Sequence, residues 1–303
     1  MKPMGLRSVA VVRTWLAMAA IQFSAFGETA YVSSFNNDLV YKANTGGTSS
    51  VYQTDVVGPQ GLAIDGAGYL YVANHYGSTI TRFSPTGQDL GTWASTGLSA
   101  PYALAFDRVG NLYVSNEGNN TIEKLDSSGH ATLFANTGLN DPVGLAFDDS
   151  GNLYAANFGN NTIEEFDSSG NGTPFVTSGL NGVHALAFYS GYLYASNINV
   201  PNIEKFDSSG NGAVFATTGL DAPFGLAFDQ NGTLFVANDA NNTIETFDSL
   251  GHGTLFASSV GNALHGIVIA APEPASGSLT VGGALALMLR RRKRHSRRGN
   301  STA

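Results

Sequence analysis

Five polar side chains in this sequence could do chemistry: His75, Glu117, His184, Asp239 and His265. An imidazole can act as a general base or as a metal ligand, and a nearby carboxylate can orient it. Whether these side chains converge depends on the elements that carry them.

Several other kinds of chemistry are not expected. The chain has no cysteine, so it can form no disulfide, no thiolate nucleophile and no Cys-ligated metal site. It also has no GxSxG nucleophile elbow and no glycine-rich phosphate loop leading from a strand into a helix. We therefore predict no cofactor. The DSSGNG segments at 167–172 and 207–212 resemble calcium loops but lack further carboxylates, so calcium or another divalent metal is only a secondary expectation.

A segment of about 41 residues recurs along the chain. GLAID (61–65), ALAFD (103–107), GLAFD (144–148), ALAFY (185–189) and GLAFD (225–229) follow one another at steps of 42, 41, 41 and 40 residues. Each is followed by a second strand such as LYVAN (70–74), a third such as TIEKL (121–125) and a fourth such as TLFA (132–135). Four strands per repeat of this length are typical of a propeller blade, so the sequence predicts an all-β propeller.

One blade is split between the two ends of the repeat region. Residues 29–34, 38–43 and 49–53 match the second, third and fourth strands of a blade, but no inner strand precedes them. The segment HGIVIA (265–270) supplies that strand, 40 residues after Gly225. Because an open ring would leave two exposed sheet edges, we predict six four-stranded blades, with the first blade closed by the C-terminal strand.

The repeats resemble those of NHL-type propellers over about residues 29–270, and more distantly those of gluconolactonases and streptogramin lyases. The resemblance implies a fold more than a function, because one scaffold can host enzymes and binding proteins. Gluconolactonases hold a divalent metal partly through a carboxylate at the start of an inner strand, and no such carboxylate stands here. Streptogramin lyases imply two histidines and a glutamate near the axis, for which His184, His265 and Glu117 are the candidates.

In such propellers the loop before each inner strand and the loop after each second strand share one face. The first ring, just before the inner strands, is Gln60, Tyr102, Val143, His184, Phe224 and His265. The second ring, just after the second strands, is Phe35, His75, Glu117, Phe158, Ile198 and Asp239. From these rings we predict a ligand-binding site at Gln60, His75, Tyr102, Glu117, His184, Phe224, Asp239 and His265, and assign no catalytic or metal-ligating residue.

Other recurring polar residues are expected to be structural because they keep the symmetry of the repeat. An asparagine ends each second strand, and such a side chain can hydrogen-bond a neighbouring turn. These residues are Asn74, Asn116, Asn157, Asn197 and Asn238. The repeated NNT triplets at 119–121, 160–162 and 241–243 are likewise interpreted as turn chemistry and not as glycosylation sites.

Both ends of the chain resemble sorting signals. Basic residues, an apolar run at 15–23 and small residues at 25–27 are typical of a secretory signal peptide cleaved near Gly27–Glu28. At the other end, PEP is followed by an apolar stretch at 275–289 and then by a basic cluster, as in the PEP-CTERM sorting signals of Gram-negative bacteria. The residues concerned are Pro272, Glu273, Pro274, Arg290, Arg291, Arg292, Lys293 and Arg294. We predict a signal peptide at 1–27, a propeller at 28–271 and a sorting segment at 272–303.

The PEP-CTERM resemblance implies export, recognition by an exosortase-type enzyme, and a cell-surface or extracellular location after processing. The basic cluster fits the positive-inside rule, but the stretch of 15 residues at 275–289 falls short of the ~20 that span a bilayer, so membrane contact should be transient. Proteins with this signal are associated with bacteria that produce exopolysaccharide. An envelope or matrix protein or a matrix glycan is therefore the expected partner.

Charge narrows the choice of partner further. Residues 28–271 hold five basic and 22 acidic residues, which leaves a net charge of −17 and argues against nucleic acid. The leading expectation is a binding or scaffold module for protein or carbohydrate. The alternative is a lactonase- or lyase-like enzyme with a site on the axial loop face, and a third hypothesis is a structural matrix protein without a defined ligand.

Overall fold

A computed structural model describes residues 28–270. These residues form six four-stranded antiparallel sheets arranged in a closed ring. The six-bladed propeller is therefore confirmed. The signal peptide predicted for 1–27 and the sorting segment predicted for 272–303 lie outside the described residues. Within 28–270, no helix has the length and apolar character needed to cross a membrane.

Twenty-four strands and two 3-10 turns (Phe35–Asn37 and Glu117–Asn119) make up the described residues. Blade 1 consists of β1 (Thr29–Ser34), β2 (Leu39–Asn44), β3 (Thr48–Gln53) and β24 (Leu264–Ala270). Blade 2 consists of β4 (Pro59–Ile64), β5 (Leu70–Asn74), β6 (Thr79–Phe83) and β7 (Asp89–Ala94). Blade 3 consists of β8 (Pro101–Phe106), β9 (Leu112–Asn116), β10 (Thr121–Leu125) and β11 (Ala131–Ala135).

The other three blades follow the same order. Blade 4 consists of β12 (Pro142–Phe147), β13 (Leu153–Asn157), β14 (Thr162–Phe166) and β15 (Gly172–Val176). Blade 5 consists of β16 (Val183–Tyr189), β17 (Tyr192–Asn197), β18 (Asn202–Phe206) and β19 (Gly212–Ala216). Blade 6 consists of β20 (Pro223–Phe228), β21 (Leu234–Asn238), β22 (Thr243–Phe247) and β23 (Gly253–Ser258).

The C-terminal strand closes the first blade, as the sequence predicts. β24 pairs antiparallel with β1, from Thr29 opposite Ala270 to Ser34 opposite Leu264. The Ser33 hydroxyl donates to the Gln60 carbonyl oxygen at 2.6 Å and accepts the Gly266 N–H at 2.7 Å. Because Gln60 belongs to blade 2, one hydroxyl joins β1 and β24 to the neighbouring blade.

The core lies between the blades. Six clusters of buried apolar side chains occupy the six blade interfaces. At the interface of blades 3 and 4, for example, the Tyr113 ring meets Phe134 and Phe147 edge-to-face, each at 4.9 Å between centroids. Both faces of every second strand are thus buried, which explains why the polar-apolar alternation of a solvent-exposed sheet is missing from these strands.

The asparagine that ends the second strand in blades 2 to 6 is a structural residue, and its main partner is the loop that arrives from the previous blade. The Asn116 Oδ1 accepts the Ser99 N–H at 3.1 Å, and its Nδ2 donates to the Gly97 carbonyl oxygen at 2.9 Å. The same Nδ2 also reaches the Thr121 hydroxyl in the following turn at 3.1 Å. Within the NNT triplet, Thr121 donates to the Asn119 side chain at 2.8 Å. The strand-end asparagine and the NNT triplet therefore both stabilise loops.

The inner strands approach one another so closely that four positions have no room for a side chain. A Cβ added at Gly61, Gly144, Gly225 or Gly266 would collide with the backbone carbonyl oxygen of the adjacent inner strand. For Gly144 that oxygen belongs to His184. The equivalent residues of blades 3 and 5 are Ala103 and Ala185, so glycine and alanine alternate over the five successive blades 2 to 6. Glycine here sets the diameter of the axis.

A second recurring feature is a glutamate in the middle of the third strand, which is buried in blades 3 and 4 and half-buried in blades 5 and 6. It stands in four blades, at Glu123, Glu164, Glu204 and Glu245. Burial raises the pKa of all four carboxyls, because an apolar surrounding disfavours the ionised form. The folded state therefore holds these protons more tightly than the unfolded chain does, and stability should fall as the pH rises above the ordinary glutamate pKa of 4.5.

We expect Glu164→Gln to stabilise the ring at pH 8 and to have little effect at pH 4. The amide keeps the shape of the carboxyl and removes the charge that burial disfavours. At pH 8 the melting temperature should rise by about 2–4 °C, the shift that about 1 kcal/mol produces in a domain of this size. Differential scanning calorimetry at both pH values tests this. Asp55→Asn removes the same charge at an exposed site and should show no such pH dependence.

Candidate functional site

All six first-ring residues lie together at the axis. With the two residues that follow each of them on the inner strands, they line a cavity of about 80 Å³ that runs between the six inner strands. The second-ring residues stand where the second strands end, on the face where the inner strands begin. We call this face, with its first-ring and second-ring residues, the axial mouth. The predicted shared face is therefore real, although the cavity admits only small groups.

Aromatic rings form a closed circuit around the mouth. Six rings each contact the next, and we call them the aromatic collar: Phe35, His265, Phe224, His184, Tyr102 and His75. The successive centroid distances, returning to Phe35, are 5.0, 4.4, 4.1, 5.3, 6.1 and 6.0 Å. Phe158 extends the collar at the rim, 6.4 Å from the His184 ring, and is 37% exposed. The collar narrows the channel and leaves aromatic surface facing the solvent.

A tyrosine–histidine hydrogen bond crosses the collar. The His184 Nδ1 lies 2.9 Å from the Phe224 carbonyl oxygen, which can only accept, so the proton is on Nδ1. The Nε2 therefore accepts from the Tyr102 hydroxyl at 2.8 Å. Burial lowers the pKa of His184 to about 4, and burial together with Glu117 and Asp239 raises the pKa of Tyr102. Both groups are neutral at pH 7, and His184 is too weak a base to remove the tyrosine proton.

His265 is held in a similar way, but one of its nitrogens stays open to the mouth. Its Nδ1 donates to the Gln60 Oε1 at 2.5 Å, and Gln60 is only 3% exposed. Its Nε2 lies 3.9 Å from Asp239 Oδ1. Burial is the largest cause that lowers the pKa of His265 to about 3, with further contributions from His184 and His75. Burial also raises the pKa of Asp239, aided by the charge of Asp221.

The structure brings together most, but not all, of the predicted lyase-like trio. The His184 and His265 rings lie 6.4 Å apart. Glu117 instead faces His75, with 3.5 Å between Oε2 and Nδ1, and the His75 Nδ1 makes no hydrogen bond to any of the described residues. The carboxylate that faces His265 is that of Asp239. Over residues 28–270, no three His, Asp or Glu side chains are grouped so that they could hold a metal ion.

Three serine hydroxyls that support the mouth were not anticipated from the sequence. The hydroxyls of Ser115, Ser196 and Ser33 accept the N–H groups of Ala103, Ala185 and Gly266 at 2.9, 2.9 and 2.7 Å. Each of these N–H groups directly follows a polar first-ring residue, namely Tyr102, His184 and His265 in turn. The other three blades carry alanine at the serine position, namely Ala73, Ala156 and Ala237. This Ser/Ala alternation is the sequence signal that could have found them.

Comparisons with known proteins identify the fold and nothing finer. No family model and no curated protein sequence matches the chain. A chain of the nidogen/laminin complex is 20% identical, with a TM-score of 0.73 over 82% of this chain and 100% of that one. An inactive virginiamycin B lyase from Staphylococcus aureus, solved with quinupristin, is 16% identical, with a TM-score of 0.62 over 82% and 94%. A gluconolactonase from Xanthomonas campestris is 17% identical, with a TM-score of 0.63 over 79% and 87%.

Proposed function

We propose that this protein is an exported binding module whose axial mouth receives a carbohydrate of the cell envelope or extracellular matrix. The observation that carries the proposal is the aromatic collar, which surrounds a small polar opening with ring surfaces. Sugars bind proteins through apolar ring contacts combined with a few well-placed polar groups, and the mouth supplies both. Gln60, Asp239 and His265 provide the polar groups, and Phe158 provides an exposed ring at the rim.

The chemistry of the mouth favours binding over catalysis. His184 is committed on both nitrogens, and its low pKa makes it a poor general base at neutral pH. Tyr102 keeps its proton for the same reason of burial. Glu117 contacts His75 and not the pair His184 and His265. His184 and Tyr102 are thus uncharged and hydrogen-bonded to each other, and Glu117 lies apart from the two histidines that an acid–base mechanism would need.

The proposed location and processing rest on the two ends of the chain. The pattern at residues 1–27 supports export, and the PEP-CTERM resemblance at 272–303 supports recognition by an exosortase-type enzyme and a final place at the cell surface or outside the cell. The net charge of −17 in the propeller supports a partner other than nucleic acid. A protein partner in the same compartment would use the same loop face.

A second candidate function is a lactonase- or lyase-like activity on this face. The observation that favours it is the pair of His265 Nε2 and Asp239 Oδ1, 3.9 Å apart and open to the mouth. Enzymes of both kinds are among the structures with this fold. His265→Gln would remove the imidazole, so a lactone-opening or lyase activity that this substitution abolishes would favour the enzyme.

We expect residues 28–270 to bind an envelope or matrix oligosaccharide, and Phe158→Ala to weaken that binding about 10-fold, equivalent to about 1.4 kcal/mol. Phe158 lies at the rim, so its removal should leave the fold intact. Glycan-array screening followed by isothermal titration calorimetry provides the measurement. Leu133→Ala is the matched control, because Leu133 is 55% exposed on an outer strand far from the mouth. A panel in which no oligosaccharide binds would contradict the proposal.

A further inference from the structure

The basic residues of the described chain all lie away from the axial mouth. Four of them sit over tyrosine rings near the opposite face, as in Lys124 over Tyr113 at 5.3 Å and Lys205 over Tyr192 at 3.9 Å. The other two rings are Tyr31, under Lys42, and Tyr69, under Arg82. Arg108 pairs with Asp149 at 2.9 Å in turns of that same opposite face. Across residues 28–270, no lysine or arginine is therefore available to neutralise the mouth.

The loops around the mouth, in contrast, carry mainly acidic side chains, and their one basic side chain among the described residues, His75, faces Glu117. Six carboxylates belong to these loops: Asp38, Asp55, Glu117, Asp141, Asp221 and Asp239. His184 and His265 add no positive charge at neutral pH, because burial keeps both imidazoles neutral. A cleft lined by one sign of charge concentrates ligands of the opposite sign. The electrostatics of this face favour a cation and disfavour a carboxylated or sulfated sugar.

Two acceptor atoms at the centre of the mouth face each other without a donor between them. Since Gln60 accepts the Nδ1 proton of His265, the neutral ring carries a lone pair on Nε2. That lone pair lies 3.9 Å from Asp239 Oδ1, which is also an acceptor. A nitrogen about 2.8 Å from each would bridge them. An ammonium group has three donors and no acceptor, so it fits this pair better than a hydroxyl or an amide does.

The surroundings of the acceptor pair suit an ammonium group as well. Asp239 is 27% exposed and His265 is 11% exposed at the side chain, so both can be reached from solvent but are largely desolvated. Charge-assisted hydrogen bonds are roughly twice as strong as neutral ones. An ammonium group would therefore gain charge-assisted hydrogen bonds that an uncharged sugar could not make.

We infer that the axial mouth recognises a primary ammonium group, and hence that its ligand is an amino sugar with a free amine. This inference rests on the proposed carbohydrate-binding function and specifies its ligand. The ammonium bridges His265 Nε2 and Asp239, and the hydroxyl-bearing ring of the sugar lies against the collar. N-acetylation of the sugar removes the charge and two of the three donors, so it should abolish recognition.

The test is a calorimetric comparison of two oligosaccharides with residues 28–270, in which every strand has its sheet partner. The probes are a β-1,4-linked glucosamine tetramer and its N-acetylated counterpart, which share chain length and linkage. We expect the free amine to bind at least 10-fold more tightly at pH 6.5 and 150 mM salt. Asp239→Asn should reduce that affinity at least 10-fold. Asp149→Asn, the matched control on the opposite face, should leave it unchanged.

The other possible results of this comparison would each contradict the inference in a different way. Equal binding of the two tetramers would overturn the inference while leaving the carbohydrate-binding function in place. Equal loss of affinity in Asp239→Asn and Asp149→Asn would show general attraction to an acidic protein and would also overturn it. Binding of a lysine-rich peptide without binding of either tetramer would overturn both proposals. If Asp239→Asn does not fold, His265→Phe decides, because it keeps a ring in the collar and removes the other acceptor of the pair: unchanged affinity for the free amine in this variant would overturn the inference.

Discussion

A chain that ends at Ala263 is expected to lose cooperative folding of the whole ring and not only of its first blade. The truncation removes β24, the inner strand of blade 1, and with it Leu264 and Ile267 from the cluster that joins blades 6 and 1. Burying each such side chain stabilises a protein by about 1.5–3 kcal/mol, and the pairing with β1 is lost as well. Because the free energy of unfolding of a domain is only about 5–15 kcal/mol, the loss is comparable to the total stability of the ring.

Thermal unfolding followed by circular dichroism measures the effect, with the chain ending at Ala270 as reference. A circular permutant provides the matched control. Since Ala270 lies opposite Thr29 across the sheet, a short turn can join them, and new termini can be placed in the loop between β3 and β4. The permutant should melt close to the reference. If the chain ending at Ala263 melted like the reference, the closure would have no role in stability.

Gly144→Val is expected to destabilise the ring by about 3 kcal/mol or more, and to lower its melting temperature by about 10 °C. The new side chain would point at the His184 carbonyl oxygen of the adjacent inner strand, so the backbone itself must move. Overpacking a core typically costs about 1–3 kcal/mol even when only side chains must adjust. Denaturant unfolding gives the free energy. It should also show a smaller effect for Gly144→Ala, because alanine adds one methyl group and not three carbons.

Gly66→Ala is the control for this substitution. A Cβ at Gly66 meets no atom within 4 Å, and the residue does not adopt a left-handed conformation. Its replacement should change the free energy of unfolding by less than about 0.5 kcal/mol, as at most surface sites. Should Gly144→Val prove as mild as Gly66→Ala, the inner strands would have to be able to separate, and the axial cavity could then widen for a ligand.

The fold could be predicted almost completely because every blade must pack in the same way, so the same strand pattern recurs several times in the sequence. The GLAF segments marked the inner strands, and HGIVIA at 265–270 matched them closely enough to predict the closure. Glycine and alanine at these positions reflect the crowding at the axis, a constraint that any one repeat would show only weakly. The first and second rings followed from strand ends, which the repeat fixes to within a residue.

The contacts inside the mouth could not be predicted in the same way. Strand register places Glu117, His184 and His265 on one face, but rotamers and the tilt of each blade decide which side chains meet. Glu117 thus faces His75, while Tyr102 fills the position beside His184. The sequence showed His184 and His265 as polar groups, and it gave no sign that burial would keep both neutral. The supporting serines were not predicted because serine occupies this position in only every second blade.

The direction of β24 across the propeller would affect how the protein is oriented at a surface. This strand begins at the mouth, at Leu264, and ends at Ala270 on the opposite face, beside Thr29. The last described residue therefore lies on the side of the ring remote from the collar. A protein tethered to a surface by its C-terminal segment would hold the mouth outward, with the whole thickness of the propeller as a spacer. Its closing strand would then also set its orientation towards passing ligands.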